Sequence, residues 1–367
     1  MRVLIGCGGT GGHIYPAIAI AHELKEQDPN VDILFVGTRG GMEMDLVPNA
    51  GYPIMSIDIR GLKRGKIAQN LGLPFLMLKS LYQARKIIKL FKPNVAIGTG
   101  GYACFPTLLA AYTKNIPTLI QEQNSSAGLT NRLLSRFVDK ICTGYTAVVL
   151  PCSKEKTVVT GNPVRSSIYR LEKERAEALT FFALSPSKKC LLVVGGSGGA
   201  GKLNTTILAG IEQINALNIQ LIWITGSRYF KTVNDYLTTH HVHDDIRCYP
   251  FLNNIEMAYA AADVVIARAG ALSIAELCIM QKPTILIPSP NVIGDHQSKN
   301  ALPLATQGAA IVINESACSD SLITTSIDLI YDVTKQQALK TAMQVFSLLH
   351  ANAADKIVKE IFDLTRP

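Results

Sequence analysis

Three glycine-rich turns, and the side chains at their ends, hold most of the chemistry this sequence could perform. The first, Gly6-Cys7-Gly8-Gly9-Thr10-Gly11-Gly12-His13, follows an apolar run and precedes a stretch of helical period. Glycines there let backbone N–H groups approach a phosphate, and a helix start adds partial positive charge. Gly6-x-Gly8-x-x-Gly11 is formally a dinucleotide spacing, but the acid that should hold a ribose is missing. The second strand, ILFVG, ends in Gly37-Thr38-Arg39, and Asp32 stands at its start. Phosphate binding survives as an expectation; nicotinamide or flavin binding does not.

The third turn, Gly195-Gly-Ser197-Gly-Gly-Ala-Gly201-Lys202, has Walker A spacing, yet Leu203 follows where a hydroxyl should hold Mg²⁺. The plainer reading is an anion-binding turn with Ser197 as a donor. The middle turn, Gly98-Thr-Gly100-Gly101-Tyr102, follows another strand. Any one of the three could be only a tight strand-to-helix turn. Three of them, divided between two halves of the chain, suit two phosphate-bearing substrates and a transfer reaction.

Two side chains stand out beside these turns. At a helix start, partial positive charge disfavours an imidazolium, which would keep His13 neutral and able to accept a proton; the competing role is a helix cap or a phosphate contact. Glu276 falls in the first two turns of the helix after Arg268-Ala-Gly270-Ala-Leu272-Ser273, where a carboxylate can accept both hydroxyls of a ribose or merely complement the helix dipole. Gln297, in GDHQSKNA, is placed to reach sugar hydroxyls. No Asp-x-Asp pair marks a strand end, so no metal or other cofactor is expected. The tract His240-His241-Val242-His243-Asp244-Asp245 is the one metal-like cluster, and it reads as a polar connection.

The elements that must hold these groups are strands alternating with helical stretches, the pattern of a parallel sheet. Apolar runs at 3–6, 33–37, 95–100, 117–121, 140–144 and 157–163 form one set, and those at 190–196, 221–226, 246–251, 264–268, 284–288 and 310–313 a second. Each set opens on a glycine turn, so the expected fold is α/β with two doubly wound domains. The boundary is expected near Gly161-Asn162-Pro163, giving 1–162 and 163–339. A C-terminal helix over about 340–367, with Ile357, Val358, Ile361, Phe362 and Leu364 in its last turns, should dock on either domain.

Composition narrows the setting. With 367 residues, 48% of them hydrophobic, the chain is an ordered globular protein, and its eight cysteines are scattered singly, as expected of reduced, mostly buried thiols. Met1 runs straight into a strand, so no secretory leader is expected. No apolar stretch suffices to span a bilayer. Nine Lys or Arg and no acid occur between Arg60 and Lys92, more than the whole net charge of +8. Within that segment Phe75, Leu76 and Leu78 adjoin Lys79, Arg85 and Lys86. This pattern suits an anionic membrane surface, with a solvated basic helix facing the core as the competing reading. Few aromatics and no recognised module argue against nucleic acid.

GGTGGHIYPA (8–17), GTGGY (98–102), QEQNSSAGLTN (121–131), GNPVR (161–165), GGSGGA (195–200), AGALSIAEL (269–277) and DHQSKNA (295–301) together resemble glycosyltransferase family 28, and within it the UDP-N-acetylglucosamine transferases of peptidoglycan synthesis. The motifs occur in the family's order over most of the chain. The resemblance implies a GT-B fold, two Rossmann-like domains facing a cleft. It further implies inverting transfer of GlcNAc from UDP-GlcNAc to the MurNAc 4-hydroxyl of lipid I (undecaprenyl-diphosphate-MurNAc-peptide). The setting would be peripheral, on the cytoplasmic face of the inner membrane, with other cell-wall synthesis proteins as further partners. The implied donor residues are Thr10, Gly11, Gly12, Asn124, Arg165, Ser197, Phe251, Leu272, Ser273, Glu276, His296 and Gln297, with Arg165 assigned to the second domain. The implied acceptor residues are Gly9, Thr10, His13, Gly100, Gly101, Tyr102 and Asn124. Gln121 stands where many members have His, and His296-Gln297 where some have a Gln pair. A GT-B transferase with another lipid or glycoside acceptor is the alternative.

Overall fold

The computed structural model describes residues 1–61, 70–169, 175–196, 198–240, 242 and 245–366. They form two compact units, 1–166 with 349–367, and 167–348. The chain therefore leaves the first unit a few residues after Pro163 and returns to it near its end.

The first unit is built on a parallel sheet of β1 (Arg2–Gly6), β2 (Asp32–Thr38), β3 (Ile54–Ile57), β4 (Val95–Gly98), β5 (Thr118–Glu122), β6 (Lys140–Thr143) and β7 (Thr157–Val159), in the order β3-β2-β1-β4-β5-β6-β7. Val3 pairs with Ile33 on one side and Val95 on the other, so β1 is central. Strands covered on both faces must be apolar throughout, which is why VLI, ILFV and VAI read as continuous runs. The sequence pattern misses β3: an edge strand of four residues, with only Ile57 buried, has too little apolar signal.

The second unit repeats the plan with β8 (Cys190–Val194), β9 (Gln220–Ile224), β10 (Ile246–Tyr249), β11 (Val264–Ala267), β12 (Thr284–Leu286) and β13 (Ile311–Val312), ordered β10-β9-β8-β11-β12-β13. In each sheet the order reverses beside the first strand, between β1 and β4 or β8 and β11. The loops leaving the carboxyl ends there form the crevice where open α/β sheets take ligands. Both glycine turns that open the two sets lie at these points.

In place of one helix over about 340–367 the chain forms two, Val333–His350 and Ala353–Thr365, parted at Asn352 (φ +53°), and the second closes the first unit. Ile357, Val358 and Ile361 are fully buried in the core that includes Val3, Ile5, Ile14 and Phe35, while Lys140 pairs with Glu360 at 2.8 Å. All eight cysteines are free and six are buried.

The returning chain is anchored at His350. Its Nδ1 accepts the Asn162 N–H at 3.1 Å, and beside it Gly161, at φ +82°, leaves no room for a Cβ, which would lie 2.2 Å from the Leu349 carbonyl oxygen. Burial, then Lys356, lowers the His350 pKa to about 4. The folded chain thus resists a proton that the unfolded chain takes up near pH 6.5. Stability should be full above that pH and fall by about 3 kcal/mol as the pH drops from 6.5 to 4. Denaturant midpoints across this range should show the loss in the parent and much less of it in His350→Gln, whose amide oxygen can accept the same N–H.

Candidate active site

In the first unit the β1 and β4 loops are one construction. A Cβ on Gly101, which has φ +86°, would lie 1.9 Å from the Gly8 carbonyl oxygen, so the two turns touch backbone to backbone. A Cβ on Gly100 would lie 2.6 Å from His13 Cδ2 and 2.9 Å from Nε2, so the imidazole lies against that glycine. The Tyr102 ring stands 3.5 Å from the corresponding point on Gly9. Gly9, Thr10, His13, Gly100, Gly101 and Tyr102 are therefore brought together.

His13 is the third residue of the helix Gly11–Gln27, whose cap position belongs to Thr10. His13 is accordingly not the helix cap. Its Nδ1 lies 3.2 Å from Thr10 Oγ1, and its carbonyl accepts the Thr99 hydroxyl at 2.6 Å. Gly11 and Gly12 open the same helix, and the Gly11 Cα faces the Tyr15 ring. Arg165 stacks over that ring at 5.4 Å from its centroid. This corrects the expected domain assignment: Arg165 lies in the first unit, because the chain crosses over only after Ser166.

Buried carboxylates and amides hold the loops from behind. Glu122 accepts the N–H groups of Asn124 (2.9 Å) and Gly128 (3.0 Å) and the Asn131 amide (2.9 Å), which shapes the loop that presents Asn124. Gln123 Nε2 donates to the Thr99 carbonyl (2.7 Å) and to Gln121 Oε1, while Gln121 Nε2 donates to Asn162 Oδ1 at 3.1 Å. Gln121 is thus part of an amide network behind the β4 loop. Gln123 and Asn162 stood in the sequence only as members of the QEQN and GNP motifs, because nothing in a local pattern says that two polar residues 39 positions apart will bond.

The second unit is built alike. Gly199 (φ +76°) and Gly226 (φ +83°) bring the β8 and β9 loops together; a Cβ on Gly226 would lie 2.3 Å from Gly199 Cα. Ser197 lies outside the described residues. Lys202 donates to Ser319 Oγ, so the Walker-like lysine is engaged by a neighbouring helix. Gly270 caps the helix Ala271–Ile279, which carries Leu272 and Ser273 in its first turn and Glu276 below them. The buried Tyr259 hydroxyl donates to Glu276 Oε2 at 3.1 Å and so holds the carboxylate. His296 and Gln297 start the helix His296–Thr306, and Gln297 Oε1 accepts the Ser289 N–H at 2.8 Å, which turns its NH₂ group the other way. Phe251 is exposed on the loop after β10. Among the described residues no group of three His, Cys, Asp or Glu could hold a metal; His241, His243 and Asp244 fall outside them.

Residues 3–143 match the Glycosyltransferase family 28 N-terminal domain, and residues 190–361 the Glycosyltransferase family 28 C-terminal domain. The chain belongs to glycosyltransferase family 28. This family 28 transferase is 43% identical, over 99% of its length and 96% of the relative's, to a Phocaeicola vulgatus protein. A Christiangramia forsetii protein is 44% identical over 98% of the chain and 97% of its own length. Both are named UDP-N-acetylglucosamine--N-acetylmuramyl-(pentapeptide) pyrophosphoryl-undecaprenol N-acetylglucosamine transferase. The crystal structure of Acinetobacter baumannii MurG superposes with a TM-score of 0.75 at 29% identity, covering 99% of each chain. The two Rossmann-like domains are those of the GT-B fold.

A further surface of this family 28 chain lies on the helix Leu73–Phe91. Ser80, Ala84, Ile87 and Ile88 face the core, whereas Phe75 (77% exposed), Leu78 (66%) and Tyr82 (72%) face out at helical spacing. The helix thus has two apolar faces, and the core-facing reading accounts for only one. Leu76 is only partly exposed, and Arg85 and Lys86 are exposed. Lys79 pairs with Asp58 at 2.8 Å; Asp58, whose pKa is lowered chiefly by hydrogen bonds from Lys79 and Gln83, also pairs with Arg39. Lys63, Arg64 and Lys66 lie outside the described residues. No described helix is long and apolar enough to cross a membrane.

Proposed function

We propose that this chain is an inverting glycosyltransferase that moves GlcNAc from UDP-GlcNAc to the 4-hydroxyl of the MurNAc in lipid I, giving lipid II and UDP. The near full-length identity to transferases named for that reaction carries the proposal. In the tautomer whose Nδ1–H is donated to Thr10 Oγ1, His13 Nε2 holds the ring's lone pair. It takes the acceptor proton as O4 attacks the anomeric carbon of GlcNAc. The bond from that carbon to the UDP oxygen breaks, its electron pair leaves with UDP, and the configuration inverts. Arg165 and a helix start stabilise the departing charge. Glu276 accepts the ribose hydroxyls, and Leu272, Ser273 and Phe251 surround the nucleotide. His296 and Gln297 contact the GlcNAc. Tyr102, Asn124 and the Gly9 and Gly100-Gly101 turns line the acceptor side.

The decisive assay is transfer of radiolabelled GlcNAc from UDP-GlcNAc to a lipid I analogue. Labelled product is the expected result, and binding of UDP-GlcNAc without transfer would overturn the acceptor assignment.

The exposed stripe of Phe75, Leu78 and Tyr82 beside Arg85 and Lys86 supports docking on the cytoplasmic face of the membrane, with apolar side chains in the interface and cations against anionic headgroups. Co-sedimentation with vesicles containing anionic lipid should be salt-sensitive. Phe75→Ser with Leu78→Ser should abolish it, and Arg85→Glu with Lys86→Glu should weaken it strongly. Lys79→Ala should have a smaller effect, because Asp58 already pairs with that charge. Unchanged sedimentation of the serine variant would exclude this face.

A further inference from the structure

Glu43, the first residue of the helix Glu43–Asn49, is fully buried directly behind the first glycine turn. Its Oε2 accepts the Gly9 N–H at 3.1 Å and its Oε1 the Thr38 N–H at 2.7 Å. Three glycines make the space it fills: a Cβ on Gly8, Gly37 or Gly41 would lie 2.2, 2.6 or 2.5 Å from its side chain. A ring of glycines with backbone N–H groups pointing inward is how chains cradle a phosphate. Here the chain fills such a cradle with its own carboxylate. The Gly9 N–H is therefore spent inside the protein, and a substrate diphosphate must be met by other groups.

The same turn reaches the reacting groups in single contacts. The Gly8 carbonyl abuts Gly101, Gly9 faces the Tyr102 ring, and Thr10 Oγ1 meets His13 Nδ1. We propose that Glu43 is a positioning residue of the transfer reaction, an internal anion that sets the Gly8–Gly9 turn and thereby the placement of His13 and Tyr102. Its kinetic consequence rests on the transferase reading above; its structural one does not.

The isosteric Glu43→Gln variant tests this, because an amide offers one acceptor oxygen for two N–H donors. Amide hydrogen exchange at Gly9 or Thr38 should quicken at least tenfold in the folded variant. The kcat for transfer should fall at least tenfold, with the donor KM within twofold of the parent. In Glu43→Ala, sodium formate should restore part of kcat and slow the exchange, whereas sodium chloride should do neither. Should Glu43→Ala fail to fold, Glu43→Gln carries the test alone. Unchanged exchange at both amides would overturn the internal anion, and quickened exchange with an unchanged kcat would overturn the positioning role. A parent enzyme without transfer activity would defeat the transferase reading instead, leaving the exchange measurement to decide the tether.

Discussion

Replacing His13 by alanine is expected to lower the rate of GlcNAc transfer by roughly 10²–10⁴-fold, the range for losing a positioned general base. The donor KM should hardly move if, as proposed, the ribose is held by Glu276, which lies in the other unit. The imidazole lies against Gly100 with Nδ1 near Thr10 Oγ1, so its orientation is set on two sides. Thr10→Ala should lie between the parent and His13→Ala, since it keeps the base but releases its orientation. Near-normal turnover of His13→Ala would remove the residue from the chemistry.

Gly101→Ala should be the most damaging single methyl group in the first unit. Left-handed backbone costs a residue with a side chain about 1–2 kcal/mol. The added Cβ would also lie 1.9 Å from the Gly8 carbonyl oxygen, and backbone cannot step aside as a flexible side chain can. The β1 and β4 loops must separate, at an expected stability loss on the order of 2–4 kcal/mol. Because a displacement near 1 Å can cost about 100-fold in rate, turnover should fall at least that far in whatever folds. Gly40→Ala is the control, because Gly40 has φ +73° but no atom within 4 Å of its Cβ position. It should lose only the backbone contribution, with turnover close to the parent. Equal melting-point losses for the two variants would refute the loop-to-loop contact.

Strands buried on both faces announce themselves, so VLIG and CLLVVGG mark the centres of both sheets, and the turns after them fall at the points where the strand order reverses. The edge strand Ile54–Ile57, half exposed, left no such trace. Gly8, Gly100 and Gly101 were legible as turn glycines, but a missing side chain does not say what occupies the space it vacates. That Gly101 meets Gly8 and that Glu43 sits among three glycines are facts of tertiary contact. Arg165 shows the same limit. GNPVR reads as a boundary, yet the residues past its proline still belong to the first unit, held there by Gly161 against Leu349 and Asn162 against His350.

The helix Ala353–Thr365 gives the order of synthesis a role in folding. A ribosome delivers β1 first, but the core over β1 and β2 lacks Ile357, Val358 and Ile361 until the whole second unit has been made. The first unit to emerge is therefore the last to be completed, and in the nascent chain it waits with an apolar face uncovered, the state most prone to aggregation. Residues 1–166 expressed alone should share that fate, and joining 349–367 to them through a flexible linker should relieve it.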